Sequence, residues 1–379
     1  MSLLRTRPVA TPAMIATFDD AATIAAALAF ETALARAQAD EGVIAAGDAA
    51  AIAAAAAALA IDPVRLAEDA ALAGTLAIPL VRALRAMLTG DAAGALHRGA
   101  TSQDVADTAL MIQAGQGARL LRADTDRIAA ALAPLARRHA ATPAIGRTLL
   151  QDAQPIGLGL RIAQWHAGIV AAATRLDREI ATNAALQWGG AAGTRPDQNG
   201  RAAPVAARLA RALGLADTPP WHARRDGIAA IAAALGILIG ALAKMARDVA
   251  LLAQNAVGEA REPAVAGRGG SSAMAHKRNP AGCQTALSAA TRAPGLVAGI
   301  IAALPAEEER GIGGWQAEGP MLADLFLLAS GAAAAMAAVA EGLEIDTDAI
   351  ARNLAAAGQG ADIGDSVALV EALLVLRKG

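Results

Sequence analysis

Between Gly269 and Pro280 the chain reads GGSSAMAHKRNP, which places two serines, a histidine, a lysine, an arginine and an asparagine between long apolar segments. Gly267, Gly269 and Gly270 free the backbone on one side. Asn279-Pro280 punctuates the other, with Pro280 placed to begin a helix. Such side chains on a hinged loop suit a mobile lid that carries reacting groups; a solvated surface loop is the plainer alternative. Three more polar segments interrupt the apolar chain: His97 to Asp104, Thr148 to Gln154 and Glu307 to Glu318. Together the four supply hydroxyls (Thr101, Ser102, Thr148, Ser271, Ser272), amides (Gln103, Gln151, Asn279) and cations (Lys277, Arg310, with His97 and Arg98 beside them). Hydroxyls and amides orient carboxylate oxygens and cations neutralise them, so this inventory fits a carboxylate-rich small molecule. Singly, each residue could be a cap or a turn residue. Recurrence in four segments is what argues for a site.

Other chemistries find little support. The five histidines, at 97, 139, 166, 222 and 276, form no i, i+4 pair, and no Cys-x-x-Cys occurs, so no metal site is expected. GRGGSS, Gly267 to Ser272, lacks the Gly-Lys-Ser/Thr ending of a phosphate-binding loop. There is no strand–glycine–helix context for a dinucleotide and no Gly-x-Ser-x-Gly, so no cofactor is expected.

The elements that must position these residues are helices. The chain has 379 residues, 55% hydrophobic and only 2% aromatic, and its apolar content is mostly alanine and leucine. That composition favours helix and tight helix–helix packing, and the expected class is all-α. Net charge is −2 with both signs interleaved, which argues against nucleic acid. The single cysteine, Cys283, and residues 1–20 without a signal-like apolar core point to a cytoplasmic protein. Mean hydropathy is +0.39. The longest uncharged apolar stretches, Gly227 to Ala243 and Leu325 to Ala340, fall short of the ~20 residues of a spanning helix, so covered bundle helices are expected and no membrane. The pattern predicts a small N-terminal helical domain (1–96), a central bundle of five long helices (97–342) and a short C-terminal remnant (343–379). Ser102 is a candidate cap of the helix that runs towards His139, and the stretch from Thr142 to Thr148 reads as irregular.

GSSAMAHKRNP closely resembles the GSSxMPxKxNP signature of the fumarase/aspartase superfamily. HRGATSQDVADTAL (His97–Leu110) resembles its first common region and GRTLLQDAQP (Gly146–Pro155) its second. The resemblance spans roughly residues 1–345. With EERGIGGWQAE (Glu308–Glu318) it is nearest to the cycloisomerase branch, which closes a lactone ring on a carboxylated muconate in the protocatechuate branch of aromatic degradation. It implies a homotetramer with a shared helical core and active sites built from several subunits. It implies Ser271, Lys277 and Arg310 as catalytic residues, Ser271 and Lys277 being rival proton donors. His97, Thr101, Ser102, Gln103, Thr148, Gln151, Ser272 and Asn279 would bind a small tricarboxylate. Three departures stand out: Ala275 where the family has proline, a short C-terminal region, and Leu149 where the lyases carry histidine. A lyase must help a poor leaving group depart, which a histidine can do. Ring closure uses the substrate's own carboxylate, with a pKa near ~4 and already ionised at neutral pH. Leucine at 149 therefore favours cyclisation over an adenylosuccinate-lyase-like C–N lyase. A catalytically inert scaffold would have no use for Ser271, Lys277 and Asn279 together.

Overall fold

The protein is described here by a computed structural model, which covers residues 2–265, 267–270, 274 and 277–375. Asp19 accepts a hydrogen bond from the backbone N of Ala22 at 2.8 Å and opens α1, Asp20–Asp40. α2 (Ala46–Ala58), α3 (Pro63–Ala73) and α4 (Ala77–Arg85) follow, with a few shorter helical turns left unlabelled. α3 is capped by Asp62 and stopped by Gly74 at φ +72°. That stop splits a stretch whose sequence reads as one helix from Leu66 to Leu88.

α5 runs from Ser102 to Arg138, 37 residues, with Asp104 in its first turn and Arg137 and Arg138 in its last, both favourable to the helix dipole. Its N-cap is Thr101 rather than the expected Ser102. The next segment departs from expectation more sharply. β1 (Pro143–Thr148) and β2 (Gln151–Gly157) form an antiparallel hairpin with Thr148 opposite Gln151. Its two-residue turn is Leu149-Leu150, both at positive φ (52° and 64°). This turn is usually made by Asn-Gly, so the sequence carried no hairpin signal.

α6 (Leu158–Asn183), α7 (Ala202–Leu213), α8 (Asp226–Leu252), α9 (Ala281–Ala302) and α10 (Gly314–Glu341) complete the body of the chain. α5, α6, α8, α9 and α10 pack side by side as the long-helix bundle. Leu235, Leu238, Leu242, Phe326 and Met336 are fully buried in it, as alanine-lined helices approach closely. Phe18 reaches in from the N-terminal segment to stack on Phe326 with ring centroids 5.3 Å apart. A second core joins α1 to Leu186, Trp188 and α7. Two residues each of β3 (Ala260–Arg261) and β4 (Glu344–Ile345) pair beside the bundle. α11 (Thr347–Ala357) covers β1. α12 (Ser366–Val375) covers α6, and Ser366 Oγ accepts from the Gly157 backbone N at 3.0 Å. The class is all-α with the central bundle expected of the superfamily.

By length and composition alone, α8, α9 and α10 could each cross a membrane. α8 and α10 are largely buried by their neighbours. Only 22% of the most apolar stretch of α9 is buried within the chain, so most of this helix lies uncovered, with Gln284, Ser288, Thr291 and Arg292 exposed along its first half and Ala298 and Ile301 along its second.

Candidate active site

The expected site residues fall into two groups at opposite ends of the bundle. The first group surrounds the N-terminus of α5. Thr101 N donates to Asp104 Oδ2 at 2.9 Å, and Arg310 Nη1 donates to Thr101 Oγ1 at 2.5 Å. Arg310 sits in the loop between α9 and α10, where the Glu307 carboxylate accepts from Ile312 N at 3.1 Å. Backbone hydrogen bonds, from its own N–H first and then from Ile312, hold the Glu307 carboxyl below its ordinary range. Half-buried Ser102 is the first residue of the helix. His97 precedes it in a left-handed conformation, φ +64°, with Nδ1 2.6 Å from Glu31 Oε1.

Beneath this end lies a buried charged brace. Asp104 is fully buried and accepts from Gly189 N (3.0 Å), Gly190 N (2.9 Å) and His222 Nε2 (2.8 Å). Arg225 stacks on Trp221 and grips Asp107 with two bonds of 2.6 and 2.9 Å. Its Nε donates to Glu318 Oε2 at 2.9 Å. Burial raises the Glu318 carboxyl above its ordinary value, against the opposing pull of Arg225. Burial also opposes the Arg225 charge, but Asp107 and Glu318 outweigh it and strengthen the guanidinium. This brace ties the N-terminal turns of α5, α8 and α10 together beside the Arg310 loop. A cavity of about 200 Å³ lies between His222, Arg225 and that loop.

Gln103 corrects an expectation. It is fully buried and its Nε2 donates to Asp107 Oδ2 (3.2 Å) and to the His222 carbonyl (3.0 Å). That amide is spent on the brace rather than free to grip a carboxylate, because the helix turns it inward between two partners.

The second group lies at the other end. Thr148 and Gln151 flank the hairpin tip and are exposed, as are Leu149 (97%) and Leu150 (73%). Gln151 Nε2 donates to the Leu150 carbonyl at 3.2 Å. Arg147 grips buried Glu259 at 3.0 and 2.6 Å, and Asn353 Nδ2 adds a bond of 2.8 Å. Burial would raise the Glu259 carboxyl, but hydrogen bonds from Arg147 and Asn353 and the charges of Arg147 and Arg161 hold it below its ordinary value. The lid is rooted beside this brace. Glu262 accepts from Gly282 N (3.0 Å) and Cys283 N (2.7 Å) at the start of α9. Arg278 donates to the Glu262 carbonyl and to Glu344. The neck of the lid closes where Asn279 N donates to the Gly269 carbonyl at 2.9 Å, and Asn279 Nδ2 lies 3.3 Å from the Gly270 carbonyl. Gly269 has φ +71°, and a Cβ there would fall 2.4 Å from the Asn279 carbonyl, so only glycine fits this neck. Lys277 is exposed. Ser271, Ser272 and Ala275 lie outside the described residues.

The two groups do not meet within one chain. Thr101 and the hairpin lie at opposite ends of α5, whose 37 residues span about 54 Å. Lys277 and Arg310 flank the two ends of α9, whose 22 residues span about 32 Å. A wider groove of about 710 Å³, lined by Met111, Arg119 and Arg211 among others, runs between α5, α6 and α7, and none of the expected residues lines it.

Sequence reasoning missed Glu31, Asp107, His222, Arg225, Glu259 and Glu262. The available signal was a charge inside an apolar helical run, as with Glu31 in AFETALA. Such a charge is solvated or paired, and the sequence does not say with what.

The chain matches known proteins over most of its length. The family described as Lyase matches residues 6–295. A 3-carboxy-cis,cis-muconate cycloisomerase of Pseudomonas aeruginosa is 47% identical over 349 residues, 90% of this chain and 75% of that protein. A nitrosuccinate lyase of Streptomyces davaonensis is 42% identical over 368 residues, 94% of this chain and 77% of that protein. The crystal structure of the 3-carboxy-cis,cis-muconate lactonizing enzyme from Pseudomonas putida superposes with a TM-score of 0.88 at 38% identity, covering 98% of this chain and 87% of that one. The signature at the lid, the long-helix bundle and these matches agree, and the chain belongs to the lyase family of the fumarase/aspartase superfamily.

Proposed function

We propose that the chain is a cycloisomerase that converts 3-carboxy-cis,cis-muconate to a carboxymuconolactone. The observation that carries this reading is the hairpin tip. Thr148, Leu149, Leu150 and Gln151 bring no group that titrates near neutral pH to the place where the superfamily's lyases carry histidine. Cyclisation needs none there. One substrate carboxylate is already the nucleophile, and holding it against the double bond supplies much of the barrier reduction.

A carboxylate oxygen bonds to one alkene carbon, and the π pair moves to the neighbouring carbon and into its carboxylate as an enediolate. Lys277 and Arg310 stabilise that charge, helped by Asn279 at the lid neck. Ser271 or Lys277 then delivers a proton to the α-carbon. Thr101, Ser102, Thr148, Gln151 and Ser272 orient the remaining carboxylates.

A complete site needs both ends of the bundle, so it is assembled from different copies of the chain, the lid of one meeting the α5 end of another. The largely uncovered α9, hydrophobic enough in sequence to span a membrane, supports burial against further copies, and a homotetramer of closed symmetry satisfies both requirements.

The test is turnover of 3-carboxy-cis,cis-muconate, followed by loss of ultraviolet conjugation together with proton balance. A tricarboxylate becoming a dicarboxylate lactone takes up one proton per turnover. Nitrosuccinate elimination would instead release one. No loss of conjugation, with proton release from nitrosuccinate, would replace the cycloisomerase reading by the lyase one.

A further inference from the structure

Glu31 is the least expected charge near the first group. It lies on α1, its side chain is fully buried, and among the described residues it meets a single titratable partner, His97 Nδ1, at 2.6 Å. Its other oxygen, Oε2, is buried without a hydrogen-bond partner among the described residues. Burying a carboxylate that is half satisfied is costly unless a cation faces it. His97 is itself held in a backbone conformation that costs a non-glycine residue on the order of 1 kcal/mol.

The surrounding structure enforces both costs. Gln38, two helical turns along α1 from Glu31 and on the same face, donates to the Arg98 carbonyl and to Gln198 Oε1, both at 2.9 Å. Arg98 Nε donates to the Asp197 carbonyl at 3.1 Å. Gly99 lies at φ +67°, where a Cβ would strike Gln198 and the Pro196 carbonyl. The turn before Thr101 is thus clamped between α1 and the 189–201 loop. The exposed 18% of the His97 side chain is presented four residues before the helix end that holds Arg310. Strain and buried charge kept together in this way mark a functional turn.

We propose that Glu31 is a positioning residue that holds His97 as an imidazolium, and that His97 anchors one non-reacting carboxylate of the substrate. The inference rests on the cycloisomerase reading of the site and adds to it the group that keeps His97 charged. Every neighbouring charge bears on it: Glu31 from α1, Asp104 from α5 and Arg85 from α4. Burial lowers the His97 pKa, but the hydrogen bond and charge of Glu31, with Asp104, outweigh burial and Arg85 and raise it above 6.5. The imidazolium therefore persists to a higher pH than an isolated histidine would allow.

The experiment measures kcat and KM for 3-carboxy-cis,cis-muconate against pH in the wild type, Glu31→Gln, His97→Asn and the double variant. Glu31→Gln should raise KM about tenfold near neutral pH with kcat within about twofold. The pH at which KM begins to climb should shift downward. The double variant should be no worse than His97→Asn alone, because the two residues act as one unit. Wild-type KM and pH profile in folded Glu31→Gln, or a lowered Tm with KM unchanged, would overturn the inference and leave the cycloisomerase reading standing. Absence of wild-type turnover would sink that reading instead. If Glu31→Gln does not fold, Glu31→Asp keeps the charge and must keep the profile, and His97→Asn must lose it; any other result for either overturns the inference.

Discussion

Arg310 Nη1 reaches Thr101 Oγ1 at 2.5 Å and so fixes a guanidinium against the N-terminus of the longest helix. The positive end of a helix repels a cation. The arrangement becomes favourable when an anion occupies the same place, as helix N-termini and arginine both attract carboxylates. Arg310→Ala is therefore expected to lower kcat/KM by about 10²–10³, in the range of a lost oxyanion donor. Its thermal midpoint should hold or rise, since the repulsion is relieved. Near-wild-type kcat/KM would remove Arg310 from the machinery.

The brace under Arg310 behaves oppositely. Arg225 is 2% exposed and holds two carboxylates. Removing one partner of a buried ionic cluster leaves uncompensated charge, at about 3–5 kcal/mol. Arg225→Ala should lower the thermal midpoint sharply, whereas Arg310→Ala should not. A small midpoint change in Arg225→Ala would mean that water replaces the guanidinium and that the brace does not tie the helices together.

The candidate site was legible in the sequence only in part. The lid, Thr101, Thr148, Lys277 and Arg310 stand out because polar residues clustered in a greasy chain carry their own signal. The bundle was legible from alanine- and leucine-rich runs. The hairpin was not, because Leu149-Leu150 adopts a turn that Asn-Gly usually makes, and tertiary context overrides local preference. Partners of buried charges were also hidden. Arg225 beside Asp226 reads as the start of a helix, while its bonds reach Asp107 and Glu318, about a hundred residues away in either direction. Gln103 sits in the recognised motif yet faces inward, since spacing does not say which side of a helix meets solvent.

The hairpin tip offers a third prediction. Leucine at positive φ costs on the order of 1 kcal/mol, and asparagine tolerates that conformation better. Leu149→Asn should relieve strain and leave the thermal midpoint of one chain's fold unchanged or raised. If the tip forms an apolar wall of a site in another copy, kcat/KM should fall at least about tenfold. An unchanged kcat/KM would place the tip outside the site.

Acid should loosen the hairpin and lid together. The folded Glu259 carboxyl titrates below its ordinary value of 4.5, so near that pH the unfolded chain binds more protons than the folded one. Its contribution is complete above about pH 4.5 and is lost as pH falls through the lower, folded value. Glu259→Gln should be less stable than wild type at pH 7. The gap between their thermal midpoints should narrow as pH is lowered from 5 to 3. A gap independent of pH would mean that Arg147 and Asn353 do not hold the ionised form.

In the proposed reaction Lys277 and Arg310 serve one enediolate, yet they flank opposite ends of α9, about 32 Å apart by helix rise. If each site takes its lid from one chain and its α5 end from another, the variants Lys277→Ala and Arg310→Ala fail in different halves. Each alone should be nearly inactive. When the two are mixed, unfolded and refolded together at equal amounts, about a quarter of the sites should receive both intact halves, on random assembly of a symmetric oligomer. Activity should therefore return towards that fraction, and co-elution of differently tagged copies would show that mixing occurred. Mixed oligomers that stay inactive would mean that both residues must come from the same chain. Since the fold of a single chain keeps them apart, that outcome would refute the shared site and remove one of the two from the reaction.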